Sequence, residues 1–159
     1  MSQENVAIVR RFMQAIERAF DAYWKSPRSI AASLEASDLW PEWAEVYEYV
    51  HPQVEWQTVF LGDTARGHLE TARVWDDFLT WAKDYRPSLE AAEDLGGDHV
   101  FAVLALVGEG KDSDLRMNAR FFDVFTLRDG LIVRIEEYAD RNQALEAAGL
   151  SEQDAHADS

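Results

Sequence analysis

Cysteine is absent from the sequence and positive charge is scarce, and the two absences exclude several classes of function. Without cysteine the protein can form no disulfide bond and use no thiolate in catalysis, and we expect a cytoplasmic location. The 15 Lys and Arg residues stand against 30 Asp and Glu, which gives a net charge of −15. Nucleic acids and anionic membranes require a basic face, so we expect neither as a partner.

Long apolar runs are also missing. No stretch approaches the roughly 20 apolar residues that span a bilayer, and the opening MSQENVAIVRRF lacks the apolar core of a signal peptide. The chain does have 159 residues, of which 47% are hydrophobic. That is enough for one domain with a sizeable core, which we place at 1–150. A disordered acidic tail is expected at 151–159.

Hydrophobic periodicity divides the domain into helical and extended segments. Apolar residues at helical spacing predict helices near the N-terminus and at 41–50, 68–85 and 141–148, with a short helical piece at 29–36. Extended apolar runs predict strands at 54–60, 88–95 and 99–107, and a hairpin at 115–139. Because the helices and strands are segregated, the predicted class is α+β, with a curved, mostly antiparallel sheet wrapped around helices and a central pocket.

The predicted hairpin carries two acidic residues, Asp123 and Glu137, among apolar ones. Its turn lies at 128–130, and two geometries fit. A two-residue turn would pair Asp123 with Glu136, whereas a three-residue turn would pair Asp123 with Ile135. In the second register both carboxylates share one apolar face. The members of that face are Phe121, Asp123, Phe125, Val133, Ile135 and Glu137.

Two carboxylates on one apolar face are costly and need a reason. They should repel each other, so that one stays protonated while the other ionises. Such a pair suits proton transfer next to a carbonyl group, with one acid as base and the other donating to the developing enolate oxygen. We assign Asp123 as base and Glu137 as donor, and the reverse assignment is also open. The competing interpretation is that the acids reach solvent or are neutralised by Arg116, Arg120 or Arg134.

Several stretches together resemble a known family. They are MSQENVAIVRRFMQAIE, HPQVEW, ARGHLETARVWDDF and FDVFTLRDGLIVRIEEYADRNQALEAAGL. Over nearly the whole chain they resemble the SnoaL-like branch of the nuclear transport factor 2-like superfamily, in which residues 25–40 look like an insertion. The resemblance implies a cone-shaped α+β barrel with a deep pocket, and a homodimer. It does not imply one activity, because this fold hosts enzymes and pure binding proteins.

Ketosteroid isomerases and limonene-epoxide hydrolases each match the chain in part. The isomerases carry, at the position of Asp123, an acid that stays protonated in an apolar site. Their base and their oxyanion tyrosine fall at Trp56 and Phe12, which can do neither task. The Arg and Asp of the hydrolases fall at Leu104 and Leu106. Neither standard mechanism is therefore expected here.

The polyketide-cyclase branch resembles the chain more fully. Its D-I-F-R-x-x-D-G-K pattern is similar to residues 123–131, so Asp123 matches its acid/base residue. Its H-W-D pattern is similar to residues 135–137, so Glu137 matches the second acid. Ile135 stands where the branch has its His, which departs from classical cyclase chemistry.

We expect an apolar pocket around the two candidate catalytic acids. Trp56 should narrow it and favour flat ligands, and His99 should lie at its rim. The predicted ligand-binding residues are Phe12, Trp56, Trp75, His99, Phe121, Phe125 and Ile135. The histidines lack metal-ligand spacing, and we expect neither a metal nor a cofactor.

Two functions of different classes fit these observations. The first is binding of a small hydrophobic molecule, with acid/base isomerase, cyclase or lyase chemistry on a carbonyl compound such as a polyketide or a terpenoid-like molecule. The second is non-catalytic ligand binding or protein interaction, with the pocket filled by its own aromatic side chains. A cavity with room for a ligand and an acid within reach would favour the first function.

Overall fold

The computed structural model describes residues 2–59, 63–113 and 115–149, which form five helices and six strands. The helices are α1 (Ser2–Lys25), α2 (Ile30–Glu35), α3 (Pro41–Glu48), α4 (Gly67–Leu79) and α5 (Arg141–Ala147). The strands are β1 (Val50–Gln57), β2 (Thr64–Arg66), β3 (Ala82–Gly96), β4 (His99–Gly110), β5 (Arg116–Arg128) and β6 (Leu131–Tyr138). The tail predicted at 151–159 lies outside the described residues.

The strands form one curved sheet in the order β2-β1-β6-β5-β4-β3. Only the β1–β6 pair is parallel among these described strands. The predicted α+β class and the mostly antiparallel sheet are confirmed. The sheet does not close into a complete barrel, because β2 and β3 remain as its two edges. In the part of the chain that the structure describes, no helix has the length and apolarity to span a membrane.

Helix α1 supplies one wall of the core. Its apolar residues recur at helical spacing, so they form a single stripe that faces the sheet. The buried members of the stripe are Val9, Phe12, Met13, Ile16, Ala19, Phe20 and Tyr23. α1 packs along β3 and α3. The sheet therefore curves around a helix that is apolar on its inner side, which leaves a narrow space between α1 and the middle strands.

The segment between α4 and β3 differs from the prediction. The predicted helix at 68–85 ends at Leu79, and β3 already begins at Ala82. The helical spacing of Ala82 and Tyr85 suggested a longer helix. Both residues instead belong to β3, and their side chains are buried on the inner side of the sheet. Pro87 disfavours helical backbone at the preceding residue, and pairing with β4 stabilises the extended form instead.

The first strand also begins earlier than predicted. β1 includes His51 and Pro52, which we expected to end the preceding helix. Pairing of β1 with β2 starts only at Glu55, and its pairing with β6 is interrupted between Val50 and Glu55. Pro52 therefore lies outside the regular ladders, where a missing N–H group costs little. The short strand β2 lies between the strand predicted at 54–60 and the helix predicted at 68–85, where no element was predicted.

The segment 25–40, predicted to be an insertion, is joined to α4 by the carboxylate of Asp76 and by an ion pair between Glu35 and Arg73 (3.7 Å). Asp76 accepts hydrogen bonds from the backbone N–H groups of Ile30 (2.7 Å) and Ala31 (3.0 Å) and from Ser29 Oγ (2.8 Å). Ile30 and Trp40 are buried in the main core. The insertion thus thickens the helical layer and holds α4 in place.

Candidate functional site

A tight turn and a bulge together set the register of the β5–β6 hairpin. Asp129 and Gly130 have φ angles of +53° and +80°, as a two-residue type I′ turn requires. The pairing of β6 with β5 then shifts by one residue at Val133, which has no partner. An extra residue of this kind is a β-bulge, and it offsets every pair beyond it.

The bulge makes Asp123 and Glu137 direct cross-strand partners. Both predicted pairings of Asp123 were therefore wrong, because neither allowed for an extra residue in β6. The expectation that the two carboxylates share a face holds, since both line the same inner cavity. Val133 instead lines an outer groove, and Ile132 takes the buried position. Directly opposite residues have Cβ atoms about 5 Å apart.

Glu137 has two hydrogen-bond donors. Its Oε1 accepts from Thr58 Oγ1 at 2.7 Å and from the backbone N–H of Val59 at 3.2 Å. The parallel pairing of β1 with β6 brings the end of β1 to this position. Burial raises the pKa of Glu137 above its usual value, and both hydrogen bonds oppose this rise because they favour the ionised form.

The carboxyl group of Asp123 has fewer hydrogen-bond donors than that of Glu137. It is only 3% exposed, and its Oδ1 has no hydrogen-bond partner among the described residues. Burial raises the pKa of its carboxyl group well above the usual value, and the charge of Glu137 raises it further. Asp123 is therefore the member of the pair that holds a proton more firmly.

The arginines that could have neutralised the acids are engaged elsewhere. Each forms an ion pair with a glutamate: Arg116 with Glu109, Arg120 with Glu90, and Arg134 with Glu55 and Glu136. Glu137 is only 8% exposed, so solvent does not stabilise its charge either. Both forms of the competing interpretation are contradicted.

A small cavity lies between α1 and the sheet, with the acid pair in its wall. Its volume is about 40 Å³, which is room for about one or two water molecules. It is lined by Phe12, Met13, Ile16, Trp56, Trp75, Tyr85, Pro87, Leu104, Leu106, Asp123, Phe125, Ile135 and Glu137. Aromatic rings fill much of the space, and the Trp56 and Trp75 ring centroids are 4.9 Å apart.

Most of the residues predicted to bind a ligand line this cavity. They are Phe12, Trp56, Trp75, Phe125 and Ile135. Phe121 packs against the core beside the cavity without lining it. His99 is also away from it, with its Nδ1 3.1 Å from Thr126 Oγ1. The alternation of β4 explains this position, because the neighbouring Val100 faces the core and His99 must face the other side.

Tyr85 is a lining residue that the sequence reading missed. The β3–β4 pairing is irregular between Lys83 and Arg86, and Asp84 has a φ of +52°, so a bulge turns Tyr85 inward. A Cβ atom at Gly108 would lie 3.0 Å from Tyr85 Cα, so the close approach of the two strands depends on that glycine. Burial raises the pKa of the Tyr85 phenol, and the charges of Glu137 and Asp123 raise it further. Pro87 could have indicated strand β3, because the residue before a proline favours an extended backbone over a helical one.

The site has two facing carboxyls and, in the part of the chain that the structure describes, no cluster of metal ligands. Within residues 2–59, 63–113 and 115–149, no three His, Cys, Asp or Glu side chains lie close enough together to hold a metal ion. The polar groups at the cavity are two carboxyls of different proton affinity and one phenol. This set can give, take and hold a proton at a bound molecule.

Comparison with solved structures shows the same fold in several bacterial proteins. A protein from Catenulispora acidiphila with a ketosteroid isomerase-like fold, in complex with trimethylamine, has 16% identity and a TM-score of 0.57, over 85% of this chain and 92% of its own. A candidate SnoaL-like polyketide cyclase from Jannaschia has 18% identity and a TM-score of 0.58, over 87% of each chain. A candidate polyketide cyclase from Xanthomonas campestris has 16% identity and a TM-score of 0.59, over 89% of this chain and 94% of its own.

A family comparison extends this likeness to the sequence. None of the curated proteins compared with the chain matches it. The SnoaL-like domain, however, matches residues 9–135, which is most of the chain and includes Asp123. Glu137 lies two positions beyond the matched region. On this match, the chain belongs to the SnoaL-like domain family.

Proposed function

We propose that this protein binds a small organic molecule in the inner cavity and transfers a proton next to its carbonyl group. One observation carries the proposal: Asp123 and Glu137 face each other in an apolar cavity, and the hydrogen-bond donors go to Glu137. This difference supports Glu137 as the ionised base and Asp123 as the neutral donor. The first assignment, with Asp123 as base and Glu137 as donor, is therefore reversed in this proposal.

The proposed reaction needs no group outside the cavity and the substrate. Glu137 takes a proton from the carbon next to the carbonyl, and the C–H electron pair forms a new carbon–carbon double bond. The carbonyl oxygen gains the negative charge and accepts a hydrogen bond from protonated Asp123. Return of the proton from Glu137 to a different carbon of a conjugated substrate gives an isomer, and Glu137 is again ionised.

The size of the cavity supports a small substrate over a large one. A volume of about 40 Å³ lies well below the ≈ 300 Å³ or more of common ligand pockets. A polyketide-sized molecule would require the side chains of Trp56 and Trp75 to move. The small volume and the aromatic rings that fill it favour the rival function, a non-catalytic protein whose pocket is filled by its own side chains. The facing acid pair is the feature that favours catalysis instead.

Exchange of α-protons tests the proposed chemistry directly. The protein is incubated with acetone, a ketone of only four non-hydrogen atoms, in D₂O, and loss of the α-proton signal is followed by NMR. We expect exchange faster than in buffer alone, and a decrease of about 100-fold in Glu137→Gln. Asp123→Asn should also lower the rate, because an amide is a weaker donor than a carboxylic acid.

Glu136→Gln is the matched control, because Glu136 neighbours Glu137 in sequence but bonds to Arg134 and Tyr138. It should exchange at the wild-type rate. Equal rates in the wild type and in Glu137→Gln would contradict the proposal and favour the non-catalytic function. The homodimer and the cytoplasmic location stay predictions. Light scattering with gel filtration measures the first.

A further inference from the structure

We infer that the inner cavity is also a binding site for a small organic cation of the alkylammonium class. The inference goes beyond proton transfer, since it concerns what the acid pair attracts and needs no turnover. Two features of the cavity wall support it: a pair of carboxyls without a counter-charge, and aromatic rings around them.

The missing counter-charge is the first feature. Among the described residues, no Lys, Arg or His forms an ion pair with Asp123 or Glu137. The two acids are 3% and 8% exposed, so water offers little stabilisation. A buried carboxylate that lacks a cation is costly. A ligand that carries the positive charge would remove this cost, whereas a neutral ligand would not.

The aromatic walls are the second feature. Five of the lining residues have aromatic rings: Phe12, Trp56, Trp75, Tyr85 and Phe125. The ring faces of Trp, Tyr and Phe attract cations, and cages of such rings bind methylated ammonium groups. Trp56 and Trp75 lie at an interplanar angle of 35° and together form one wall. Aromatic rings beside carboxyls suit a cation that is both charged and apolar.

The composition of the wall favours an organic cation over a metal ion. Calcium takes six to eight oxygen ligands and magnesium requires an octahedral set. The side chains in this wall offer oxygen atoms only at Asp123, Glu137 and Tyr85, and the rest of the lining is apolar or aromatic. The volume of about 40 Å³ further restricts the ligand to one with few non-hydrogen atoms.

Cation binding should depend on pH. The titratable groups that face the ligand are Asp123 on β5, Glu137 on β6 and Tyr85 on β3, while α1, β1 and α4 contribute only apolar and aromatic side chains to the wall. A bound cation favours ionisation of both acids. The affinity for methylammonium, which like a lysine side chain stays charged near neutral pH, should therefore rise as the acid pair loses its proton.

Calorimetric titration provides the test. Methylammonium is compared with methanol, a neutral molecule with the same number of non-hydrogen atoms, in buffer with added NaCl to suppress surface binding. We expect the cation to bind about tenfold or more tightly than the alcohol. Equal affinities, or no binding of the cation, would overturn the inference.

Two double variants separate the cavity from the acidic surface. Asp123→Asn with Glu137→Gln removes both acidic groups of the cavity and should weaken cation binding about tenfold or more. Asp112→Asn with Glu136→Gln removes two acidic groups away from the cavity and should leave the affinity unchanged. Loss of affinity in both double variants would also overturn the inference, because it would locate binding on the surface.

The result of the cation-binding experiment is independent of the result of the α-proton exchange assay. Cation binding without α-proton exchange would support this inference and remove the proposed catalysis. α-Proton exchange without a preference for cations would support the proposed catalysis and remove the inference of cation binding.

Discussion

Asp123 and Glu137 lie directly opposite each other on β5 and β6, yet their environments differ. Thr58 and Val59 donate to Glu137, whereas Asp123 Oδ1 has no partner among the described residues. Two chemically similar groups at one position of the sheet therefore hold their protons with different strength. The asymmetry is a consequence of sheet topology, because of the two strands β5 and β6 only β6 borders β1.

Replacing Asp123 by Asn should change how stability depends on pH. The pKa of Asp123 is raised in the folded protein, so its contribution is complete below the pKa of the unfolded state and is lost as pH rises through the folded value. Asp123→Asn should remove this loss and raise the free energy of unfolding at neutral pH by about 1 kcal/mol or more, since each unit of pKa shift corresponds to about 1.4 kcal/mol.

Urea denaturation over a pH series measures this effect. Asp112→Asn is the control, because Asp112 is exposed on a turn, and the pH dependence of this variant's stability should match that of the wild type. An unchanged pH dependence in Asp123→Asn would show that the carboxyl group is not protonated more firmly in the folded state.

Tyr85→Phe tests whether the phenol takes part in proton transfer. The ring would keep its contacts with Phe20, Trp75 and Phe78, so stability should change by less than about 1 kcal/mol. If the hydroxyl group donates to the substrate oxygen, α-proton exchange should fall about tenfold or more. Tyr138→Phe, which alters a phenol bonded to Glu136, should exchange normally. An undiminished rate in Tyr85→Phe would restrict this residue to packing.

Trp56→Ala should enlarge the cavity and destabilise the fold. Loss of the buried indole should cost about 3–5 kcal/mol. The new space should bind an apolar molecule, so benzene should raise the melting temperature of the variant and leave the wild type unchanged. Trp81→Ala is the comparison, because Trp81 is 48% exposed and its loss should cost much less. Stabilisation of the wild type by benzene would mean that the cavity already opens.

Asp76→Ala should release the insertion from α4. Removal of three hydrogen bonds to a carboxylate should cost about 2 kcal/mol or more. The amide protons of Ile30 and Ala31 should then exchange faster with solvent, as hydrogen exchange with mass spectrometry can measure. Asp77→Ala removes the neighbouring carboxylate and should leave these amides protected. Similar exchange in both variants would show that packing of Ile30 is sufficient.

Residues with strong periodicity were predictable. The apolar stripe of α1 and the inner positions of β1, Val54 and Trp56, lie where the spacing indicated, because burial of apolar surface is the main favourable term in folding. Boundaries were less accurate. The end of α4 and the start of β3 depend on pairing with β4, and a local pattern contains no information about a partner strand.

The sequence by itself determined the class of the fold and the family, and it identified Asp123 and Glu137 as candidate site residues. Hydrophobic spacing and local motifs express these features directly. Tertiary structure decided which residues meet. The bulge at Val133 opposed Asp123 to Glu137, the parallel neighbour β1 brought Thr58 to Glu137, and the bulge near Asp84 turned Tyr85 into the cavity. A bulge shifts register without a strong local signal, and strands distant in sequence become neighbours only when the whole sheet assembles.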